Sequence, residues 1–255
     1  MSWNPNQYLK FAQPRLRPAL DLLARVPLDD PRRVCDLGCG TGSLTRVMAE
    51  RWPQAEVMGV DSSASMLGQA TDTPANVRWL QQDVAHWAPT QAADLIYSNA
   101  AMHWLPDHAT LIPRLLSQLA AGGVLAIQMP RNFAAPSHTA ITDTVMSGPW
   151  RARLAPLLRP TPVADPAWYI DLLSTQAAEL DVWETEYQQL LTGPDPVKEW
   201  TKGTWLASFL NALEGPERAA FERDYAARVA LAYPQRADGT TLFPFRRLFI
   251  VARKG

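Results

Sequence analysis

A short apolar run that meets an acid and then carries glycine at every second position, Val34-Cys35-Asp36-Leu37-Gly38-Cys39-Gly40-Thr41-Gly42, leaves few folds open to this chain. The run has the length of a buried strand. Alternate glycines let the backbone turn sharply without side-chain collisions, so a ligand can lie against main-chain groups at the strand's carboxyl end. The spacing therefore predicts a strand-to-helix turn that receives a nucleotide-like cofactor. A dinucleotide fingerprint needs Gly-x-Gly-x-x-Gly, and the third glycine position after Gly38 and Gly40 is held by Ser43, which weakens the pyrophosphate reading.

The segments that follow keep one rhythm. Ser43 to Trp52 has helical spacing, with Leu44, Val47 and Met48 on one face and Pro53 as its stop. Glu56 to Asp61 reads as a second strand ending in an acid, and Ser62 to Leu67 as a helix start with capping serines. Strands are expected at Val77 to Gln81, Ala93 to Tyr97 and Val124 to Gln128, with a helix near Ala109 to Leu119 before Gly122-Gly123. Five strands with interleaved helices predict an α/β fold with a doubly wound, largely parallel sheet. After Met129 prolines punctuate a stretch with only short helical pieces, which reads as an insertion. Trp168 to Gln176 then reads as a helix, Leu180 to Tyr187 as a strand, Thr192 to Gln235 as a second, helical and aromatic departure, and Arg247 to Ala252 as a last strand.

Composition excludes more than it proposes. The 255 residues suffice for a sizeable core, and 24 Lys and Arg against 25 Asp and Glu create no overall field for nucleic acid or an anionic membrane. The start of the chain has no basic region followed by an apolar stretch, and no later run has the length to span a bilayer, so the expectation is a cytoplasmic protein with no membrane partner. The two cysteines, Cys35 and Cys39, lie in the glycine-loop segment, and His86, His103, His108 and His138 lack paired ligand spacing, so no metal is expected.

The glycine loop resembles motif I of the Rossmann-like, class I S-adenosylmethionine (AdoMet) methyltransferases. That resemblance implies a seven-stranded sheet with an antiparallel last hairpin strand, a helical cap formed by insertions, AdoMet as cofactor and S-adenosylhomocysteine (AdoHcy) as product. Residues at successive strand ends then take roles. Asp36, Gly38 and Gly40 meet the methionine half, and Asp61, about twenty residues after the loop, accepts the ribose hydroxyls, with Ser62 and Met66 beside it. Asp83 takes the adenine amino group while Val84 packs on the ring, and Asn99 with Ala100 lies beside the sulfonium. Asp61 also reads as an ordinary loop acid and Asp83 as a helix cap, but their order along the chain adds weight to the functional reading.

More particular segments, Trp3-Asn4-Pro5, Tyr8, Phe11, Arg15-Leu16-Arg17-Pro18-Ala19, Trp104-Leu105-Pro106-Asp107-His108, Gln128-Met129-Pro130, Tyr233-Pro234 and Arg247 to Arg253, are similar to the trans-aconitate 2-methyltransferase family from end to end. The resemblance implies methylation of a carboxylate on a small anionic metabolite, a tricarboxylic acid. It also implies an organisation: a helical segment over 1–31 covering the cofactor, an AdoMet-binding core over 32–130 and a first cap insertion over 131–166. A core helix and strand over 167–190, a second cap insertion over 191–237 and a core strand over 238–255 complete it. Arg15 and Tyr8 are expected at the cofactor's carboxylate. Trp3, Tyr8, His103, Trp104, Arg131 and Arg247 are expected at the acid, with Arg17, Lys202 and Arg246 as further cations, since a guanidinium fork binds a carboxylate through two hydrogen bonds.

Two positions depart from the family's pattern. Trp205-Leu206-Ala207-Ser208 stands where members tend to carry Gly-Leu-Arg-Pro, and His103 where Gln is common. Lost charge and added indole suggest, as a hypothesis, an acid with fewer carboxylates or a longer apolar part. Equal turnover of trans-aconitate by the wild type and Ala207→Arg would refute it. Because an ionised carboxylate needs no general base, no catalytic residue beyond positioning groups is expected, with His103 in reserve. The alternatives are a hydroxyl O-methyltransferase, for which His103 matters as a base, and a non-catalytic AdoMet-binding protein.

Overall fold

The structure, a computed structural model, describes residues 12–70 and 73–255, the side chains of 12–15 excepted. Helix α1 (Ala12–Ala24) precedes β1 (Arg33–Leu37), α2 (Ser43–Arg51), β2 (Glu56–Asp61), the single turn α3 (Ala64–Leu67) and β3 (Val77–Gln81). Next come β4 (Ala93–Asn99), α4 (His108–Ser117) and β5 (Leu119–Pro130). The chain continues through α5 (Pro136–Ser147), α6 (Arg151–Leu154), α7 (Pro166–Leu173), β6 (Ala177–Leu191), α8 (Pro196–Lys202), α9 (Ala207–Asn211), α10 (Gly215–Ala232) and β7 (Thr241–Lys254). The strands form one sheet in the order β3-β2-β1-β4-β5-β7-β6. The neighbours from β3 to β5 pair in parallel, and β7 is antiparallel to β5, Gln128 facing Phe249 and Pro130 facing Arg247.

Two compact units share the described residues: Arg17–Pro130, Pro162–Thr185 and Arg247–Gly255 make one, while Arg131–Thr161 and Glu186–Arg246 fall in the other. In the first, Leu95, Ile96 and Tyr97 of β4 and Val124 to Ile127 of β5 are fully buried, the near-continuous apolar pattern of strands covered on both faces. Helix α4 turns Leu111, Ile112, Leu115 and Leu116 inward, and the Tyr97 hydroxyl donates to the carbonyl of Ala19 in α1 at 2.6 Å. In the second, Trp150, Trp200, Phe209, Phe221, Tyr225 and Phe243 build a separate aromatic core.

Several boundaries differ from expectation, each for a local reason. Gly122-Gly123 does not separate helix from strand; it lies inside β5, where the register with β4 shifts and Gly122 takes φ 73°, so the pair forms a bulge. The proline-punctuated segment contains α5, a full twelve-residue helix, because Pro136 sits in its first turn, where the missing N–H has no intrahelical acceptor to lose. Pro166 opens α7 in the same way, two residues before the expected start. β7 begins six residues before Arg247: from Thr241 to Phe245 it buries every second residue, an alternation that Pro244 disguises.

Candidate active site

Strand order reverses between β1 and β4, so the crevice at their carboxyl ends is where an open α/β sheet binds ligands. The loop after β1 holds Gly38, Gly40 and Gly42 at φ 75°, 58° and 76°. A Cβ on Gly38 would stand 2.2 Å from the Cβ of Ala101, so glycine is required for the loops after β1 and β4 to touch. The opposing loop carries its own strain: Ala100, with φ 54°, is left-handed although it has a Cβ, and its N–H donates to the Gln128 carbonyl at 2.9 Å. The Ser98 hydroxyl bonds the Leu37 carbonyl at 2.8 Å and ties the two strand ends together.

The acids at the strand ends are held differently. Asp36 is 2% exposed and accepts the Thr45 hydroxyl at 2.6 Å. Burial pushes its carboxyl up to about 7, the Thr45 hydrogen bond opposes this, and the nearby Asp61 adds to it. Asp61 accepts the Gly40 N–H on one oxygen at 2.9 Å and the Ser63 N–H on the other at 2.8 Å, closing the glycine loop onto the end of β2. Each oxygen retains a lone pair. Met66 in α3 reaches the same loop, its methyl 3.0 Å from where a Cβ on Gly40 would stand, while Ser62 is exposed. Asp83 caps the short 3₁₀ turn Val84–His86 through the Ala85 N–H at 2.9 Å, so it performs the capping that its sequence also suggested, and Val84 is buried.

Asn99 ends β4 with its Oδ1 buried and without a hydrogen bond among the described residues. Three residues beyond Ala100, His103 is buried, with its ring 4.7 Å from that of Trp104, which is 38% exposed. Arg247, 6% exposed on β7, donates to the side-chain oxygen of Gln128 at 3.3 Å. The remaining cations have these contacts within their own units. Arg131 belongs to the second unit, where its N–H bonds the Arg246 carbonyl at 2.9 Å. Arg246 faces Glu186 at 3.7 Å, Lys202 pairs with Glu222 at 2.6 Å, and Arg17 lies 3.9 Å from Asp21. Trp3 and Tyr8 fall outside the described residues, as does the side chain of Arg15. Trp205 packs edge-on against Phe133 at 5.1 Å and, with His138 and Arg159, lines a cavity of about 140 Å³ within the second unit, and Ala207 opens α9.

Thr45 and Gln128 were not among the sequence candidates. A hydroxyl on the inner side of α2, and a single amide in the apolar run from Val124 to Met129, were the available signals. Burial pushes the Cys35 thiol up to about 12 and Cys39 higher still, so neither is a thiolate at neutral pH. Among the described residues no three His, Cys, Asp or Glu side chains are grouped to hold a metal, and no helix is long and apolar enough to cross a membrane. The crevice fits the cofactor implied by the resemblance: a loop with glycine at every second position, a fixed carboxylate with acceptor capacity, and an amide oxygen at the end of β4 without a partner among the described residues.

Comparison with known proteins agrees. A methyltransferase-domain family model matches residues 8–163. A protein of Azoarcus sp. (strain BH72) named trans-aconitate 2-methyltransferase is 52% identical over 98% of both chains. One of the same name from Rhodopseudomonas palustris (strain BisB18) is 46% identical over 99% of each. In fold alone, the chain is similar to Haemonchus contortus phosphoethanolamine N-methyltransferase 2, solved with S-adenosyl-L-methionine, at a TM-score of 0.55 and 17% identity over 94% of this chain and 53% of that one.

Proposed function

Because the chain belongs to the trans-aconitate 2-methyltransferase family of AdoMet-dependent methyltransferases, we propose that it esterifies one carboxylate of a small di- or tricarboxylic acid in the cytoplasm, with trans-aconitate the first acceptor to test. The end-to-end identity with proteins of that name carries this reading. When bound, AdoMet supplies an electrophilic methyl group on sulfur. A carboxylic acid with a pKa of about 4 is already ionised at neutral pH, so no side chain has to remove a proton. The residues have only to hold, align and exclude water.

In this reading the Gly38–Gly40 backbone receives the methionine half, and Asp61, pinned by two N–H groups, accepts from the ribose through its free lone pairs. Val84 offers an apolar face to the base. The Asn99 oxygen takes a donor from the ligand, and His103 with Trp104 walls the acceptor side. A screen of di- and tricarboxylates with methyl-labelled AdoMet, reading label in an organic-extractable ester, tests the proposal. Label in no acid, or label that resists mild alkaline hydrolysis of an ester, would refute it.

A further inference from the structure

The cavity of about 140 Å³ in the second unit takes no part in the chemistry above, and its walls have a definite character. Phe133, His138 and Trp205 meet ring to ring there, Phe133 standing edge-on to His138 at 5.2 Å and to Trp205 at 5.1 Å. Among the described residues that line it there is no Asp or Glu, and the one permanent cation is Arg159. That side chain is exposed and makes no ion pair among the described residues. Thr139 and Thr142, three residues apart on α5, belong to the same lining.

His138 enters the cavity in one defined state. The Arg246 N–H donates to Asn132 Oδ1 at 3.3 Å, which turns the Asn132 amide nitrogen toward Ser137 Oγ, also at 3.3 Å. Ser137 Oγ lies 3.1 Å from His138 Nδ1, and its hydroxyl has no other acceptor among the described residues, so the network assigns the proton of that bond to Ser137. The imidazole proton is then on Nε2. Burial holds the pKa of the ring down to about 4, so at neutral pH it is uncharged and offers Nε2–H as a donor. Ser137 and Asn132 are both buried, which shields the relay that fixes this tautomer from water.

Such a lining combines hydrogen-bond donors with a cation that has no counter-charge of its own. Its complement is a small anionic group that only accepts hydrogen bonds, and a carboxylate fits because a guanidinium fork takes both of its oxygens. The aromatic walls suit a flat, unsaturated body. The volume is close to the roughly 150 Å³ of an apolar cavity that takes up benzene, so the occupant is a small acid and not a nucleotide. We propose that this cavity is a binding site for a small planar carboxylate, whose oxygens meet Arg159 and His138 and whose unsaturated body lies against Phe133 and Trp205. The site goes beyond the acceptor reading above: every group it uses belongs to the second unit, and its chemistry is the same whether the carboxylate is one of the methyl acceptor's own or that of a separate acid.

Calorimetric titration of the full chain with benzoate, which carries both a ring and a carboxylate, tests this. Wild type is expected to bind benzoate saturably, and to bind benzamide, the same shape without the charge, roughly tenfold more weakly, the worth of a hydrogen bond to a charged group. Arg159→Gln should lose roughly tenfold in benzoate affinity and bring the two ligands level, with its melting temperature unchanged because the guanidinium makes no ion pair to lose. Trp205→Leu removes a wall and should weaken benzoate and benzamide alike. Adding trans-aconitate to the benzoate-saturated protein identifies the source: displacement assigns the carboxylate to the acceptor, retention of benzoate assigns it to a separate acid, and both bear out the site. Absence of saturable benzoate binding to wild type, or equal affinity for benzoate in wild type and Arg159→Gln, overturns the proposal and leaves the acceptor reading standing.

Discussion

Replacing Asp36 by Asn should make the protein more stable relative to wild type as pH rises, and the size of the effect follows from one buried carboxyl. The group is 2% exposed, and its pKa is raised from 3.8 in the unfolded chain to about 7 in the folded one, chiefly by burial. Between those values the native state holds a proton that the unfolded state has released. The contribution to stability is therefore complete below pH 3.8, declines as pH rises and is lost by pH 7. Each unit of pH costs wild type about 1.4 kcal/mol in that window, about 4 kcal/mol in all. Asn has nearly the same shape, still accepts the Thr45 hydroxyl, and does not titrate. The stability gap between the variant and wild type should widen by about 3 kcal/mol from pH 5 to pH 8, most of it before pH 7, and level off above that. Urea denaturation followed by far-UV circular dichroism at half-unit pH intervals measures it, and every other titrating group cancels in the difference. In melting temperature the same change is roughly 6–12 °C for a chain of this length. A gap that stays flat within about 0.5 kcal/mol over the range, no more than an ordinary surface substitution gives, would show that Asp36 is ionised at low cost and that the account of its burial is wrong.

Gly38→Ala adds a Cβ 2.2 Å from that of Ala101 at a left-handed backbone position, and a loss of about 2–4 kcal/mol by urea midpoint is expected, with weakened AdoHcy binding; a neutral result would mean that the two loops are not in contact. Asp61→Ala removes the acceptor for the N–H groups of Gly40 and Ser63, so calorimetry should find AdoHcy affinity down at least about tenfold, and unchanged affinity contradicts the assigned role. His103→Ala should lower kcat on a carboxylic acid by less than about tenfold, with the same pH profile as wild type, because no base is needed; a loss above about 100-fold that higher pH restores points to a hydroxyl acceptor instead.

The parallel half of the fold was legible because most of its strands are short apolar runs that stop at a glycine or a polar residue, Leu37 before Gly38 or Val60 before Asp61, and periodicity reads such runs directly. The second half was harder for reasons written in particular residues. Pro136 and Pro166 look like breaks to a linear reading but stand in the first turns of α5 and α7, and Pro244 conceals the alternation that starts β7. That Asp36, Asp61 and Asn99 stand at or near strand ends was legible for the same reason as the strands. What Asp61 grips was not, because its partners, Gly40 and Ser63, belong to different loops. The Gln128–Arg247 pair lies further still from local pattern: the two meet only because the last strand enters the sheet beside β5, 119 residues along the chain.

Several departures from good folding chemistry lie at the carboxyl ends of neighbouring strands, although others, such as the left-handed Asp107 and Asp195, lie elsewhere among the described residues. A left-handed alanine at residue 100, a carboxyl at Asp36 whose ionisation burial opposes, an orphaned oxygen on Asn99 and an orphaned amide nitrogen on Gln128 all lie at the carboxyl ends of β1, β4 and β5. The middles of β4 and β5, by contrast, are ordinary apolar packing. Strain and unmet hydrogen bonds persist in a stable fold only where the surroundings hold them and something else gains by them. A reaction on an already ionised acid gains nothing from a catalytic base and much from donors and acceptors fixed before the ligands arrive. A carboxylate pinned by two N–H groups at the end of β2 and an amide oxygen at the end of β4 left unpaired among the described residues are groups of that fixed kind.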